Sequence, residues 1–364
     1  MINKLVVENL KHRPVRTALS ILAIGVEVTM MLTLVGLSKG LLEDSVRRAQ
    51  GVGADIMVRS PGTSLISFSG AGMPQKIEGF FLKQPHVRLA TGTVVQGIGG
   101  VNTVTGINLE DFNRISGGFT YLSGGPFKNS GDIIVDDYYA RQNNLTTGST
   151  VRILNRDWRV CGVVEPGKLA RIVVDRSVLQ ELTASTDKLT TVFLKLDDPA
   201  NTQSVIRSMK ERLPEYPIYS IKELTSLYSV DNVPGLRAFI GVIIGLSIVV
   251  GFMVVFLSMY TAVLERTREI GILKALGASP AYILNVIFRE TALLAMIGSV
   301  VGILLTYGTR WAITTFAPAS LPQKIVPDWW PIAAVIAVAG ALLGAMYPAW
   351  KACQQDAIEA LAYE

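Results

Sequence analysis

Few residues of this chain are spaced to perform covalent chemistry. Its histidines are His12 and His86, and its cysteines are Cys161 and Cys353. No H-E-x-x-H or C-x-x-C pattern occurs, and the one G-x-S-x-G match, GLSKG at Gly36 to Gly40, ends a long apolar run instead of standing at a strand-to-helix turn. The sequence thus offers no local signature of a zinc-bound water or an activated nucleophile. A G-x-x-x-x-G-K-[ST] loop to cradle phosphates is also lacking. The adjacent carboxylates Asp136/Asp137 and Asp197/Asp198 suit turns and strand edges better than acid–base pairs. The residues that do stand in a working pattern are those of ERTREIGILKALGASP, Glu265 to Pro280. Glu265 precedes Arg268 by three and Arg266 precedes Glu269 by three, which pairs opposite charges on a helix face. Ile270, Leu273, Ala275 and Leu276 add an apolar ridge. Gly277 then tolerates a positive φ, and Pro280 prevents continuation. The pattern predicts a short capped surface helix, and its chemistry is docking rather than catalysis.

Two apolar runs must hold that helix in place. Ala238–Leu264 and Thr291–Thr309 carry no formal charge, and a bilayer is crossed by about 20 apolar residues. Composition agrees: 49% of the 364 residues are hydrophobic and 17% charged, with mean hydropathy +0.39, whereas soluble domains carry about 25% charged residues. Thr17–Ser38, uncharged except for Glu27, and Trp329–Trp350 complete a set of four. Leu89–Asn108 is uncharged too, but its five glycines and alternating apolar residues read as strands and turns, which cannot cross lipid unpaired. The expected order is a cytoplasmic elbow (1–16), spans at 17–40, 236–264, 291–309 and 329–350, an inner segment at 265–290, an outer loop at 310–328 and a cytoplasmic tail at 351–364.

Basic residues set the orientation. Lys4, Lys11, Arg13 and Arg16, then Arg266, Arg268, Lys274 and Arg289, then Lys351 fall on one side, against Arg310 and Lys324 in the short outer loop. The positive-inside rule therefore places both termini in the cytoplasm. The net charge of +5 lies largely beside the membrane and calls for no nucleic acid. The first apolar run is longer than a signal-peptide core and no A-x-A site follows it, so it reads as a retained helix. Cys161 and Cys353 fall on opposite sides and form no pair.

Residues 41–235 form a large outer region of mixed α/β type. Strands are expected at Ala54–Val58, Ile133–Val135, Val151–Leu154, Arg159–Val164 and Val192–Leu196, and a helix at Thr202–Leu213. SKGLLEDSVRRAQ continues the first span outward, and SIKELTSLYSVDNVPGL leads back to the second, suggesting a helical stalk broken at Pro234-Gly235. Ser60–Pro74 reads as a loop with unusually apolar Leu65, Ile66 and Phe68. The fold class is thus an α-helical membrane protein with four transmembrane helices plus a mixed α/β extracytoplasmic domain on a helical stalk.

Inside the spans, Glu27 stands out, since an ionisable group near a bilayer's centre costs about 2.5–3.5 kcal/mol or more. Two roles are open to it: a structural hydrogen bond, or contact with substrate or a coupling ion. It is expected to face the interior of a dimer. Small-residue pairs at Gly241/Gly245, Gly298/Gly302 and Gly340/Gly344 would let helix backbones approach closely. Trp329, Trp330 and Trp350 mark the ends of the fourth span.

ERTREIGILKALGAS resembles the coupling-helix motif of the MacB/FtsX-like family of ABC transporter permeases. NLKHRPVRTALSILAIGV is similar to that family's basic elbow, GADIMV and DIIVDDYYARQNNLTTGSTVRILNRDWRVCGVV to its outer-domain core, and YPAWKACQQDAIEALAYE to its terminal motif. The resemblance implies a MacB-like periplasmic core domain, a site in the bacterial inner membrane and action as a dimer, homomeric or heteromeric, with a cytoplasmic ABC ATPase. Glu265, Arg266, Arg268, Glu269, Ile270, Lys274, Leu276 and Gly277 would meet that ATPase. MacB carries its ATPase in the same polypeptide. This sequence shows no phosphate loop, so ATP and Mg are expected on a separate partner and no cofactor or metal on this chain. A periplasmic membrane-fusion protein, an outer-membrane channel and membrane lipids complete the implied partners. The expected function is ATP-driven efflux of a hydrophobic, peptide or lipid-type substrate by mechanotransmission. The alternative is an FtsX-like mechanical regulator of a periplasmic cell-wall hydrolase.

Overall fold

The computed structural model describes residues 8, 14–63, 72–98, 103–227, 235–316 and 322–355. Most of the elbow with His12, the residues Leu65, Ile66 and Phe68, the end of the expected stalk with Pro234, and the tail beyond Gln355 lie outside the described residues. The chain divides into a helical unit (Met1–Ser38, Gly235–Phe316 and Gln323–Glu364) and an α/β unit (Lys39–Pro234 and Ala317–Pro322).

Four helices of the first unit are long and apolar enough to cross a membrane: α1 (Pro14–Gln50), α8 (Leu236–Glu265), α10 (Pro280–Phe316) and α11 (Trp330–Gln354), the last preceded by a 3₁₀ turn at Pro327–Trp329. At 1.5 Å per residue, a 37-residue helix such as α1 or α10 runs about 55 Å, well beyond a hydrocarbon core of about 30 Å. Residues 281–290, grouped in the sequence with the inner segment, are continuous with the third span in α10. A shorter helix, α9 (Thr267–Ala275), separates α8 from α10.

The bundle closes through residues without bulk. A side chain added at Gly298 would sit 2.8 Å from Cβ of Ile24, and one at Gly302 would sit 2.6 Å from the Gly25 carbonyl oxygen. α1 and α10 thus touch backbone to backbone. Thr29 Oγ1 donates to Gly25 O at 2.6 Å and to Gly302 O at 3.0 Å across the same contact. Gly344 of α11 similarly lies against the Phe252 carbonyl of α8.

The α/β unit is built on one sheet. Its strands are β1 (Ile56–Arg59), β3 (Val87–Gly97), β4 (Thr103–Ile107), β5 (Tyr121–Gly124), β6 (Asp132–Asp136), β7 (Thr150–Ile153), β8 (Arg156–Val164), β9 (Ile172–Asp175), β11 (Thr191–Leu196) and β12 (Ile218–Ser220). The order is β12-β1-β11-β3-β4-β9-β6-β8-β5, with β7 paired to β8, and β2 (Met73–Pro74) pairs with β10 (Lys188–Leu189) separately. The β4–β9 and β6–β8 pairs are parallel and the rest antiparallel. Helices α2 (Ile77–Leu82), α3 (Leu109–Ser116), α4 (Asp137–Gln142), α5 (Arg176–Leu182), α6 (Thr202–Arg212) and α7 (Leu224–Leu227) fill the connections.

Unbroken apolar runs in the central strands have a simple cause: both faces of the sheet are covered. Ile56 and Val58, Ile133 and Val135, and Val192 and Leu194 enter one core. Their alternates Met57, Ile134 and Phe193 enter the other, beside Val46 from the end of α1. Period-two alternation thus feeds two cores at once. Leu89–Asn108 supplies most of β3 and all of β4, which pair antiparallel, as its composition requires. The stretch from Ser220 departs from the helical stalk read in the sequence. Ser220 ends β12, registered against Ile56 of β1, and a 3₁₀ turn precedes the four described residues of α7. Pairing with a distant strand outweighs local helix preference there.

Candidate functional site

The segment between α8 and α10 is shaped by local rules. The chain leaves α8 at Arg266 (φ −108°, ψ 15°) and re-enters helix at Thr267. At the far end, Gly277 N–H donates to Lys274 O and Ala278 N–H to Leu273 O, both at 2.9 Å. These two bonds are a Schellman closure, and Gly277 takes the left-handed φ of +91° that it needs. Ser279 Oγ then accepts from Tyr282 N–H at 3.2 Å. Ser279 is thereby an N-cap and Pro280 the first residue of α10. The proline read as a stop is also a start.

α9 has two unlike faces. Thr267, Ile270 and Gly271 are buried in the helical unit. Arg266 Nη1 donates to both carboxylate oxygens of the buried Glu290 on α10, at 3.2 and 3.0 Å. Arg16 of α1 lies 3.9 Å from Glu290 and 3.6 Å from Glu265. Lys274 Nζ donates to Cys353 O at 2.6 Å and Gln355 O at 2.5 Å, at the end of α11. The opposite face carries Glu265, Arg268, Glu269, Ile272, Ala275, Leu276 and Gly277, all exposed, Leu276 at 81%. Of the eight residues expected to meet a partner, five stand on this open face, and Arg266, Ile270 and Lys274 turn inward. Ile272, 45% exposed, was missed, although Arg268, Ile272 and Leu276 recur at i, i+4, i+8 along one stripe. Beside α9, a cavity of about 310 Å³ opens between α8 and α10, with Met259, Tyr282 and Ile287 on its walls and Glu269 and Ile272 also lining it.

Within the spans, Glu27 is 6% exposed and packs on Gly251 of α8: a Cβ built there falls 2.5 Å from the carboxyl carbon. It lies inside the bundle of a single chain rather than awaiting a dimer, because Gly251 leaves room for it. Its Oε1 has no hydrogen-bond partner among the described residues. Gly298, Gly302 and Gly344 sit at close helix contacts, Gly340 meets Ile248 at an ordinary 3.8 Å, and among the described residues nothing within 4 Å faces Gly241 or Gly245.

In the α/β unit the paired carboxylates act structurally. Asp136 caps α4 by accepting from Tyr139 N–H at 2.8 Å and also takes Arg171 Nη1 at 3.0 Å, while Arg171 Nη2 reaches Asp44 at 3.1 Å. Asp137 pairs with Arg141, Asp197 with His86, and Asp198 accepts from Ala200 N–H. Cys161 donates its thiol to Ile133 O at 3.2 Å.

Residues 17–212 match the family described as the MacB-like periplasmic core domain, and residues 241–357 match the FtsX-like permease C-terminal family. The macrolide export ATP-binding/permease protein MacB of Rhodospirillum rubrum is 24% identical over 99% of this chain and 60% of its own length. The uncharacterized ABC transporter permease YknZ of Bacillus subtilis is 40% identical over 34% of this chain and 31% of its own. The chain thus spans less than two thirds of each relative's length. The crystal structure of the periplasmic region of MacB from Actinobacillus actinomycetemcomitans aligns with 51% of the chain at 15% identity and a TM-score of 0.38.

Proposed function

Because the chain belongs to the MacB/FtsX-like family of ABC transporter permeases, we propose that α9 is where the ATP cycle of a separate cytoplasmic ATPase enters it. One observation carries this reading: α9 is fixed from within by Ile270 and the Arg266–Glu290 pair, yet presents an exposed stripe of Arg268, Glu269, Ile272 and Leu276. A rigid helix showing apolar and charged residues to the outside suits insertion into a partner's groove. ATP and Mg bind on that partner. Its closure displaces α9, and α8 and α10 follow through their peptide links. α1, a single helix from Pro14 to Gln50, carries the movement towards the outer domain. Two copies of the chain form the working unit in the inner membrane, with both termini inside. The cargo is an apolar, peptide or lipid-type molecule taken up outside the membrane, with a membrane-fusion protein and outer channel as further partners.

The test uses Ile272→Asp with Leu276→Asp, which alter the open stripe and spare the buried Ile270. The double variant is expected to insert normally and lose the ATPase on co-purification. A complex that forms and hydrolyses ATP as before overturns the assignment. Activation of a wall hydrolase by an intact complex, with no movement of cargo, would favour mechanical regulation.

A further inference from the structure

The cytoplasmic end of α11 has no peptide link to α9, yet Lys274 and Gln355 tie the two together and Cys353 ties α11 to the start of α10. Lys274 Nζ donates to the carbonyls of Cys353 and Gln355. Gln355 Nε2 donates back to Thr267 Oγ1 at 3.3 Å, and Cys353 Sγ donates to the Pro280 carbonyl at 3.2 Å. The last carbonyls of a helix lack intrahelical partners and form its negative end. An ammonium placed there satisfies the orphan acceptors through charge-assisted bonds. α8 and α10 are dragged by any displacement of α9 because they are continuous with it, whereas α11 is reached only through such contacts and through packing.

We infer that Lys274 is the positioning residue that makes α11 move with α9, so that the fourth span joins the coupled movement instead of lagging behind it. This assigns Lys274 to the inside of the permease, away from the ATPase interface. The inference rests on the reading of α9 as the ATPase-coupled helix, and the experiment separates the two.

The full chain is isolated from its own membrane with its ATPase and placed in nanodiscs as wild type, Lys274→Met and Lys274→Arg. Spin labels replace Ala278, at the C-terminal closure of α9 and off its open face, and the exposed Trp350 in a Cys353→Ser background. Distances are read without nucleotide and after trapping with Mg-ATP and vanadate. The wild type and Lys274→Arg are expected to give one narrow intrachain distance, read in dimers diluted with unlabelled chains, in both states. Lys274→Met should keep its ATPase and hydrolyse ATP within about twofold of wild type, while its distance distribution broadens, most of all after trapping. A distribution in Lys274→Met as narrow as the wild type overturns the inference. So does loss of the ATPase from Lys274→Met, which would make Lys274 a partner contact. A wild-type preparation that holds no ATPase sinks the coupling reading alone. The nucleotide-free distances still decide the clamp.

Discussion

Arg171 carries the heaviest single electrostatic role in the α/β unit, bridging Asp44 and Asp136 where all three side chains are buried. Burial pushes the Asp136 carboxyl above its ordinary range, against the pull of Arg171 and the Tyr139 N–H. Arg171→Leu would take the paired guanidinium from Asp136 while Asp44 keeps Arg47 and Arg48, and breaking such a buried pair costs about 3–5 kcal/mol. The loss should be largest at neutral pH, where Asp136 must ionise, and should shrink as pH falls through its raised value. Thermal unfolding of the two proteins across pH checks it. Asp132 has the opposite sign. Burial raises its carboxyl too, but N–H donors from Lys128, Asn129 and Arg159 outweigh that and hold it below 3.8. Its stabilisation is complete above 3.8 and disappears as pH falls through the lowered value. Asp132→Asn should flatten that acid limb of the stability curve. Neither role was legible in the sequence, because the partners of Asp132 and Asp136 are set by strand pairing and by a helix distant in the chain.

Among the elements, the α1–α10 contact makes the sharpest demand. Gly302→Ala would force a methyl against the Gly25 carbonyl and Val28, and such overpacking costs about 1–3 kcal/mol. Gly308→Ala, on the same helix with nothing within 4 Å, should instead gain up to about 1 kcal/mol from helix propensity. A fall in melting temperature for the first and a rise for the second is the expected pair of results. The elements themselves were largely readable. Apolar runs mark spans because lipid selects on composition alone, and Gly277 marks the end of α9 because only a residue at ease with positive φ closes it there. Which side of α9 faces out was not readable. Ile270 and Leu276 look alike in sequence, and only the packing of α8 and α10 decides that one is buried.

For the whole molecule, charge and unfilled surface each supply a test, the first of orientation and the second of assembly. Thiol labelling of Ala275→Cys should be blocked by an impermeant reagent outside cells only if the site lies outside. It is expected to stay unlabelled, while Asn143→Cys reacts; the reverse pattern would invert the topology. Among the described residues nothing lies within 4 Å of a Cβ built at Gly241 or Gly245, and exposed Phe239, Val242, Leu246 and Val249 surround them. If a second copy covers this face, Gly245→Cys should cross-link between chains under mild oxidation, and a failure to do so would place the dimer contact elsewhere.

Both labelling schemes leave one native thiol in the outer domain, and its surroundings decide how it behaves. Burial and the nearby Asp132 push Cys161 up to about 11, so at pH 7 its reactive thiolate is on the order of one part in ten thousand. In an oxidising compartment an unpaired cysteine normally invites mixed disulfides and sulfenic acid. Here the hydrogen bond to Ile133 and the low-dielectric setting act as chemical insulation: the protein can keep a lone thiol outside the cytoplasm without a partner cysteine to quench it.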